Sequence, residues 1–263
     1  VWSAQERIGK VARRTQLNLA LDKDLHGQNI HLKLENLQRT GSFKIRGSLN
    51  KISRLSEEDR KKGVIAASAG NHAQGVALSA QLENVNAKIV MPEGAPLIKI
   101  KATKGYGAEV VLHGRYFDEA FKKAQELADQ EGRVFIHPYQ DKHVIAGQAT
   151  IGVEIMEAIP DLQNVIVPIG GGGLISGIAF VVKHLNPSCN VFGVVSDQAP
   201  GMLQLKKGQK VEGMASPSTI ADGIAVKNPS EIMFENYISE YVDDVVQVND
   251  EEMAQAIVCG MEL

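Results

Sequence analysis

One lysine stands in a sequence setting that suits covalent chemistry. Lys44 belongs to residues 40–47, Thr-Gly-Ser-Phe-Lys-Ile-Arg-Gly, a segment with no acidic residue and with glycines that permit close approach of a ligand. Burial lowers the pKa of a lysine, and the neutral amine is a nucleophile toward an aldehyde. We therefore predict that Lys44 forms an imine, whereas Arg39 and Arg46 are interpreted as surface or inter-element charges.

Four consecutive glycines form a second unusual segment, between a β-branched apolar run and an amphipathic one. They are Gly170, Gly171, Gly172 and Gly173, followed by Leu174. Backbone N–H groups without Cβ atoms in the way can converge on a phosphate at the start of a helix. No Lys-Ser/Thr follows as in a Walker motif, and the only dinucleotide-fingerprint frame that ends in glycine has Leu174 at its middle glycine position. We predict a phosphate cradle; the alternative is a tight turn between strand and helix.

The third segment, residues 68–75, reads Ser-Ala-Gly-Asn-His-Ala-Gln-Gly and again joins a buried strand to a helix. Such a helix start is a candidate anion site, here suited to a carboxylate. Asn71 offers a donor and an acceptor to a phenolic oxygen, or it caps the helix. His72 is either a base or, as we favour, a structural residue. An imine-forming amine, an amide and an anion cradle are the set that pyridoxal phosphate chemistry requires.

Composition excludes several classes of protein. The 263 residues carry a net charge of −3 with 5% aromatic residues, which argues against a nucleic-acid partner. Cys189 and Cys259 have no metal-ligand or disulfide spacing, so we interpret them as unpaired thiols in a reducing compartment. The longest apolar stretch, residues 174–182, is shorter than the roughly 18 residues of a membrane span. We predict a cytoplasmic protein without a membrane segment.

Strand-like and helix-like segments alternate along the chain, which is typical of an α/β protein with mainly parallel strands. Strands are predicted at residues 30–34, 64–67, 87–91, 110–112, 134–136, 165–169, 191–195 and 245–248. Helices are predicted at residues 42–55, 72–82, 96–104, 118–129, 144–158, 174–185, 230–241 and from 250 to the end, with Ser56 and Asp250 as N-caps. The compact block 63–140 is predicted to be a small domain, and residues 1–62 with 141–263 a large one.

The three motifs together resemble the fold-type II family of pyridoxal phosphate enzymes, and within it the threonine/serine dehydratases. Residues 42–47 match the family's Ser-Phe-Lys-x-Arg-Gly, and residues 68–75 match its Ser-Ala-Gly-Asn-His-Ala-Gln-Gly. The glycine loop and the Ala-Asp-Gly turn at 221–223 agree as well. The Ser-x-Lys-Asp-Arg of the related sulfhydrylases is absent. The resemblance runs from about residue 8 to 260 and implies a two-domain fold of twisted, mainly parallel sheets flanked by helices.

The resemblance also implies a role for each residue of the motifs. Lys44 would form the Schiff base with pyridoxal 5′-phosphate and later move the substrate's α-proton. Phe43 would lie against the pyridine ring, and Asn71 would bond its 3′-oxygen. The phosphate would be held by the backbone amides of Gly170, Gly171, Gly172, Gly173 and Leu174. The substrate carboxylate would be received by Ser68, Ala69, Gly70 and His72.

Three departures from the family pattern refine these expectations. Serine racemases of the family resemble Ser-Ser-Gly-Asn-His, whose second serine serves the opposite face of the carbanion; Ala69 stands there, so elimination is favoured. Val195 stands where those racemases place an acidic metal ligand, so we expect no metal site. The family continues to a Ser-Gly-Gly/Ala-Asn segment that contacts the pyridine nitrogen, so we expect a C-terminal part of the large domain to be missing from this sequence.

These observations predict pyridoxal phosphate-dependent dehydration and deamination of L-threonine, and of L-serine, to a 2-oxo acid and ammonia. The enzyme is expected to be a homo-oligomer acting on a small amino acid. The alternatives are a serine racemase or another β-eliminating enzyme on the same scaffold, or a cofactor-binding fragment without turnover. A nicotinamide dehydrogenase is disfavoured by the glycine spacing.

Overall fold

The chain folds into two compact α/β units, each built on a parallel sheet. The computed structural model describes residues 1–19, 29–211 and 218–262, without the side chains of residues 261 and 262. One unit comprises residues 1–14 and 35–150, and the other residues 15–34 and 151–263. The strands are β1 Leu17–Leu19, β2 His31–Lys33, β3 Val64–Ala67, β4 Ala87–Met91, β5 Glu109–Leu112, β6 Val134–Phe135, β7 Asn164–Pro168, β8 Asn190–Ser196 and β9 Asp244–Val248. The predicted fold class is confirmed, and each predicted strand is present to within one residue at either end.

The helices alternate with these strands. They are α1 Trp2–Ile8, α2 Lys44–Ile52, α3 Glu57–Lys62, α4 Asn71–Leu82, α5 Leu97–Gly105, α6 Phe117–Glu131, α7 Lys142–Ala158, α8 Gly173–Leu185, α9 Gly201–Lys206, α10 Glu231–Met233, α11 Ser239–Tyr241 and α12 Asp250–Glu262. Short 3₁₀ turns lie at Glu35–Leu37, Arg39–Gly41 and Asp222–Ile224. No helix in the described parts of the chain combines the length and apolarity needed to cross a membrane.

The first unit is organised around a four-stranded parallel sheet with the order β5-β4-β3-β6. Its central strands β3 and β4 are buried along their whole length, as the continuous apolar sequence of β3 predicts. Strand β4 includes Lys88, whose amine forms an ion pair with Glu131. The predicted small domain, residues 63–140, contains this whole sheet, and the unit extends beyond it in both directions along the chain. The domain boundaries that we predicted at 62/63 and 140/141 remain a prediction.

Glycines allow three helices of the first unit to pack closely. A Cβ on Gly75 of α4 would lie 3.1 Å from the carbonyl carbon of Lys44 at the start of α2. A Cβ on Gly147 of α7 would lie 2.4 Å from the carbonyl oxygen of Arg46 and 2.5 Å from the Cα of Gly47. These backbones are therefore in direct contact, which fixes the beginning of α2 against both neighbouring helices.

Arg46 anchors α2 through a buried ion pair. Its guanidinium donates to both carboxylate oxygens of Glu35, at 2.8 and 2.7 Å, and also to the Thr150 hydroxyl at 3.1 Å. The side chain is 1% exposed. The interpretation of Arg46 as an inter-element charge is confirmed, because Glu35 and Thr150 lie on other elements than α2.

The second unit has a three-stranded parallel sheet in the order β7-β8-β9 and an antiparallel pair β1-β2. The helix predicted at 230–241 is interrupted by a π-helix, Phe234–Ile238, between α10 and α11. The prediction of Asp250 as an N-cap is wrong: the Asn249 side chain accepts from Glu252 N at 2.9 Å, and Glu252 returns a bond to Asn249 N. This is a capping box. The Asp250 carboxylate instead accepts bonds from Thr219 and Ile220.

In the first unit, the predicted helix 42–55 is shorter than expected. It begins at Lys44 and ends at Ile52, and α3 follows after Ser56. The Ser56 hydroxyl accepts from Asp59 N at 3.1 Å, so the prediction of Ser56 as an N-cap is confirmed.

Candidate active site

The amine of Lys44 belongs to a partly buried side chain at the first residue of α2. Its Nζ donates to the carbonyl oxygen of Pro138 at 3.1 Å and lies 5.2 Å from the centre of the Phe43 ring. Burial lowers the pKa of Lys44 from 10.5 to about 8. At pH 7.5, roughly a quarter of such a lysine is the free amine, against about one in a thousand for an ordinary lysine. The amine is therefore prepared for nucleophilic attack.

The backbone just before Lys44 is strained. Thr40 has φ 65° and Gly41 has φ 70°, which places both in the left-handed region. That region is unusual for a β-branched residue, and such conformations concentrate at functional sites. The Thr40 hydroxyl is also buried without a hydrogen-bond partner in the described residues. The backbone conformation of the turn that leads into α2 is therefore stabilised by the surrounding structure and not by the conformational preference of Thr40.

The loop at residues 68–71 leaves the buried strand β3 and opens helix α4. The Ser68 hydroxyl accepts from Gly70 N at 3.1 Å. Gly70 is the N-cap of α4 and Asn71 its first helical residue, so the alternative that Asn71 caps the helix is wrong. The Asn71 side chain is exposed. Because the first amides of a helix have no intrahelical acceptor, this loop presents N–H donors to an anion.

His72 is a neutral, buried histidine. Its Nε2 lies 2.8 Å from the carbonyl oxygen of Ile136, which can only accept, so Nε2 carries the proton. Burial, and next the charge of Lys44, lower the pKa of His72 to about 3. The bond to Ile136 joins the start of α4 to the residue after β6, which agrees with the structural role that we favoured from the sequence.

The segment after β6 is a part of this region that the sequence analysis did not single out. The Nδ1 atom of His137 accepts from Gln140 N at 2.8 Å and from Tyr139 N at 3.3 Å, and the carbonyl of Pro138 between them receives the Lys44 amine. No local sequence signal marked this segment, because its position follows from the parallel pairing of β6 with β3. Residues after neighbouring parallel strands meet at the same edge of the sheet.

A lysine that the sequence analysis also passed over lies beside the loop. The Nζ of Lys99, in the first turn of α5, would be 3.7 Å from a Cβ placed on Gly70. This ammonium adds positive charge next to the donors of the 68–71 loop. Within the first unit, the structure therefore brings together Lys44, Phe43, residues 68–72 and residues 136–140.

The four glycines belong to the second unit, where they join β7 to α8. Gly172 is the N-cap of α8 and has φ +92°. A Cβ there would lie 3.1 Å from Ile238 Cδ1 and 3.3 Å from Met233 Cβ, so both conformation and space require glycine. A Cβ on Gly170 would lie 3.1 Å from the Cα of Ile224. The loop therefore lies against Gly223 and Ile224, and its glycines carry no side chains of their own over their amides.

Two absences bear on the departures noted in the sequence. Because Ala69 and Val195 are apolar residues, neither position provides a hydroxyl or a carboxylate. Ala69 is partly buried, and Val195 is buried in β8. Among the residues that the structure describes, no group of three or more His, Cys, Asp or Glu side chains could hold a metal ion.

Comparison with known proteins gives one family and several similar chains. The family described as pyridoxal-phosphate dependent enzyme matches residues 10–259. A protein of Thermotoga maritima named L-threonine ammonia-lyase is 51% identical over 263 residues, which are 100% of this chain and 65% of that protein. The chain thus spans somewhat less than two thirds of the length of this relative.

Two solved structures of similar fold bear different names. A processed form of threonine deaminase isoform 2 from Solanum lycopersicum has a TM-score of 0.92 and 41% identity, covering 99% of this chain and 73% of that one. Maize serine racemase has a TM-score of 0.94 and 34% identity, covering 100% of this chain and 79% of that one. Because a threonine deaminase and a serine racemase share this fold, the fold alone does not distinguish their reactions, and the residues of the site must do so.

Proposed function

The chain belongs to the family of pyridoxal-phosphate dependent enzymes, and from this premise we propose that it dehydrates and deaminates L-threonine, and also L-serine, to a 2-oxo acid and ammonia. The observation that carries the proposal is the amine of Lys44, whose pKa is lowered to about 8 at the start of α2. The name of the relative from Thermotoga maritima supports threonine as the substrate.

The residues fit the cofactor in two respects. Lys44 offers an amine of lowered pKa beside an aromatic ring, as an aldehyde next to a pyridine ring requires. Gly172 caps a helix whose first amides have no intrahelical acceptor, as a phosphate requires. Lys44 and Phe43 would hold the aldehyde and the ring, Asn71 the ring oxygen, and the amides of residues 170–174 the phosphate.

When bound, pyridoxal phosphate supplies an electron sink that acidifies the Cα–H bond of the substrate. Lys44 has a pKa near neutral pH, which lets its amine accept the α-proton and release it again. The amides of Ser68, Ala69 and Gly70 would receive the substrate carboxylate. His72 stays neutral and holds the loop through its bond to Ile136, so it does not compete with Lys44 as a base.

Covalent trapping at Lys44 tests the proposal. Borohydride reduction of the enzyme with bound cofactor, followed by peptide mapping, should find the cofactor on Lys44. Lys44→Ala should reduce 2-oxo acid release to background, because no other group holds the aldehyde covalently. A label on a different lysine, or full turnover by the variant, would contradict the assignment.

Racemisation of serine is the second candidate reaction, since the fold is shared with maize serine racemase. Ala69 disfavours it, because a methyl group cannot protonate the face of the carbanion opposite Lys44. We expect no D-serine from the wild-type enzyme and measurable D-serine from Ala69→Ser, detected by chiral chromatography of the remaining substrate. Normal elimination by the variant without D-serine would show that position 69 does not decide the outcome.

The assembly of the active protein is also part of the proposal. We propose a homo-oligomer, and size-exclusion chromatography with light scattering would test it. A monomeric mass at concentrations that support turnover would contradict this part alone.

A further inference from the structure

We propose that the turn at residues 136–140 positions the Lys44 amine whenever that amine is free, and that His137 is the positioning residue that fixes the Pro138 carbonyl. The inference rests on the proposed function, because a defined resting place for the amine matters only if Lys44 leaves the cofactor during each cycle. The inference assigns a role in that function to a turn that lies outside the three sequence motifs.

The turn is tied to its surroundings at both ends. At its beginning the Ile136 carbonyl accepts from His72 at 2.8 Å. After its end, the Asp141 carboxylate accepts from His143 N at 2.7 Å and forms an ion pair with Lys51 at 2.7 Å. The carbonyl of Pro138 lies between these two attachments, so its direction depends on the conformation of the turn itself.

His137 sets that conformation through an acceptor atom. Its Nδ1 receives the amides of Tyr139 and Gln140, which flank the Pro138 carbonyl on the C-terminal side. The imidazole is held edge-on against the Tyr139 ring at 4.7 Å and the Phe121 ring at 5.7 Å between centres. The atom that closes the turn is thus itself oriented by packing.

The chemistry explains why such a carbonyl is useful. If the amino group of a substrate took the place of Lys44 on the aldehyde carbon of bound pyridoxal phosphate, protons of that amino group would pass to the Lys44 nitrogen as its bond to the carbon breaks, which would leave Lys44 as a free amine. A lysine side chain turns about roughly four bonds, so a free amine loses its direction unless an acceptor holds it. The Pro138 carbonyl, 3.1 Å from Nζ, provides this acceptor without adding charge.

A pair of substitutions separates the acceptor atom from the imidazole ring. In His137→Asn, the Oδ1 atom occupies the place of Nδ1 along the side chain and can accept the same two amides, as asparagine does in turns. In His137→Leu, a methyl group occupies that place and cannot accept. Both variants remove the ring, so any difference between them reports the acceptor.

The readout is the rate at which Lys44 of the enzyme stripped of cofactor forms an imine with added pyridoxal phosphate, followed by visible absorbance. We expect the wild-type enzyme and His137→Asn to agree within about twofold, and His137→Leu to be slower by about tenfold, because the amides of Tyr139 and Gln140 both lose their acceptor. Hydrogen exchange at the Tyr139 and Gln140 amides should rise in the leucine variant only. If that variant does not fold, His137→Ala removes the same acceptor without added bulk.

Each possible result either supports or contradicts the role of the His137 acceptor atom. Equal rates in the two variants, whether both fast or both slow in folded protein, would overturn the role of the acceptor. A slow asparagine variant with normal melting would overturn it too. Failure of the wild-type enzyme to form an imine at Lys44 would instead overturn the proposed function, so the two failures are distinguishable.

Discussion

At the scale of single residues, the surroundings of Lys44 and Lys62 shift the pKa of a lysine amine in opposite directions. The Lys44 amine has a carbonyl partner and a ring beside it, and burial lowers its pKa to about 8. Lys62 lies on the surface of α3, where its bond to Glu58 and the charge of that carboxylate raise its pKa. At neutral pH, Lys44 is therefore the more reactive of these two amines toward an aldehyde.

This contrast predicts two titrations in one sample. Only the unprotonated amine reacts with an acylating reagent, so modification of Lys44 in the enzyme without cofactor should rise with pH to a midpoint near 8. Modification of Lys62 should still be rising above pH 10, since its pKa is raised. Mass spectrometry of peptides after brief labelling measures both. A Lys44 midpoint equal to that of Lys62 would contradict the burial of the amine.

A second residue-scale prediction concerns Gly172. Gly172→Ala should weaken cofactor binding by about tenfold or more, because a Cβ meets Ile238 and the backbone has φ +92°. Gly94→Ala is the matched control, because a Cβ at Gly94 meets nothing within 4 Å and Gly94 has no positive φ. Titration with pyridoxal phosphate compares the two. Unchanged affinity in Gly172→Ala would argue against a phosphate at this loop.

At the scale of elements, the position of α2 depends on a buried charge as well as on apolar packing. Removing one partner of a buried ion pair leaves the other uncompensated, so Arg46→Met should lower the free energy of unfolding by about 3–5 kcal/mol. Lys62→Met breaks an exposed pair with Glu58 and should change it little. Urea denaturation measures both variants. Equal effects would show that the Arg46–Glu35 pair does not stabilise α2.

The local sequence was sufficient to predict most helices and strands, but it was not sufficient to predict the contacts between them. Strands such as β3 were predicted because a continuous apolar run fits a buried parallel strand. Short elements such as β1 and α9 were missed, since three to six residues carry little periodic signal. The π-helix Phe234–Ile238 was missed as well, because π-helices are rare and occur mostly as short bulges within α-helices.

The same reasoning explains what was predicted of the candidate site. Lys44, the 68–71 loop and the glycine loop are local motifs, so their residue types were enough to find them. His137 and Pro138 were missed because their position follows from the pairing of β6 with β3, and strand order is not a local property. The roles of the motif residues toward the cofactor remain predictions.

At the scale of the whole molecule, cofactor binding should appear as added stability. A ligand that binds only the folded chain stabilises it by about 2.7 kcal/mol at one hundred times its Kd. We therefore expect pyridoxal phosphate to raise the melting temperature in calorimetry, and to raise it less in Lys44→Ala at the same concentration. An identical shift in both proteins would mean that Lys44 contributes nothing to holding the cofactor.

The glycine at position 75 has a consequence for how this enzyme can change. Its missing side chain lets α4 rest on the first peptide of α2, with 3.1 Å from a hypothetical Cβ to Lys44. Helix α4 carries the 68–71 loop at its start, and α2 carries the amine at its start. If Lys44 accepts the proton and the 68–71 loop receives the carboxylate, as we propose, the distance between the two follows from this backbone contact. We therefore expect altered substrate preference to come from side chains around this pair, because a larger residue at position 75 would push the two helix starts apart.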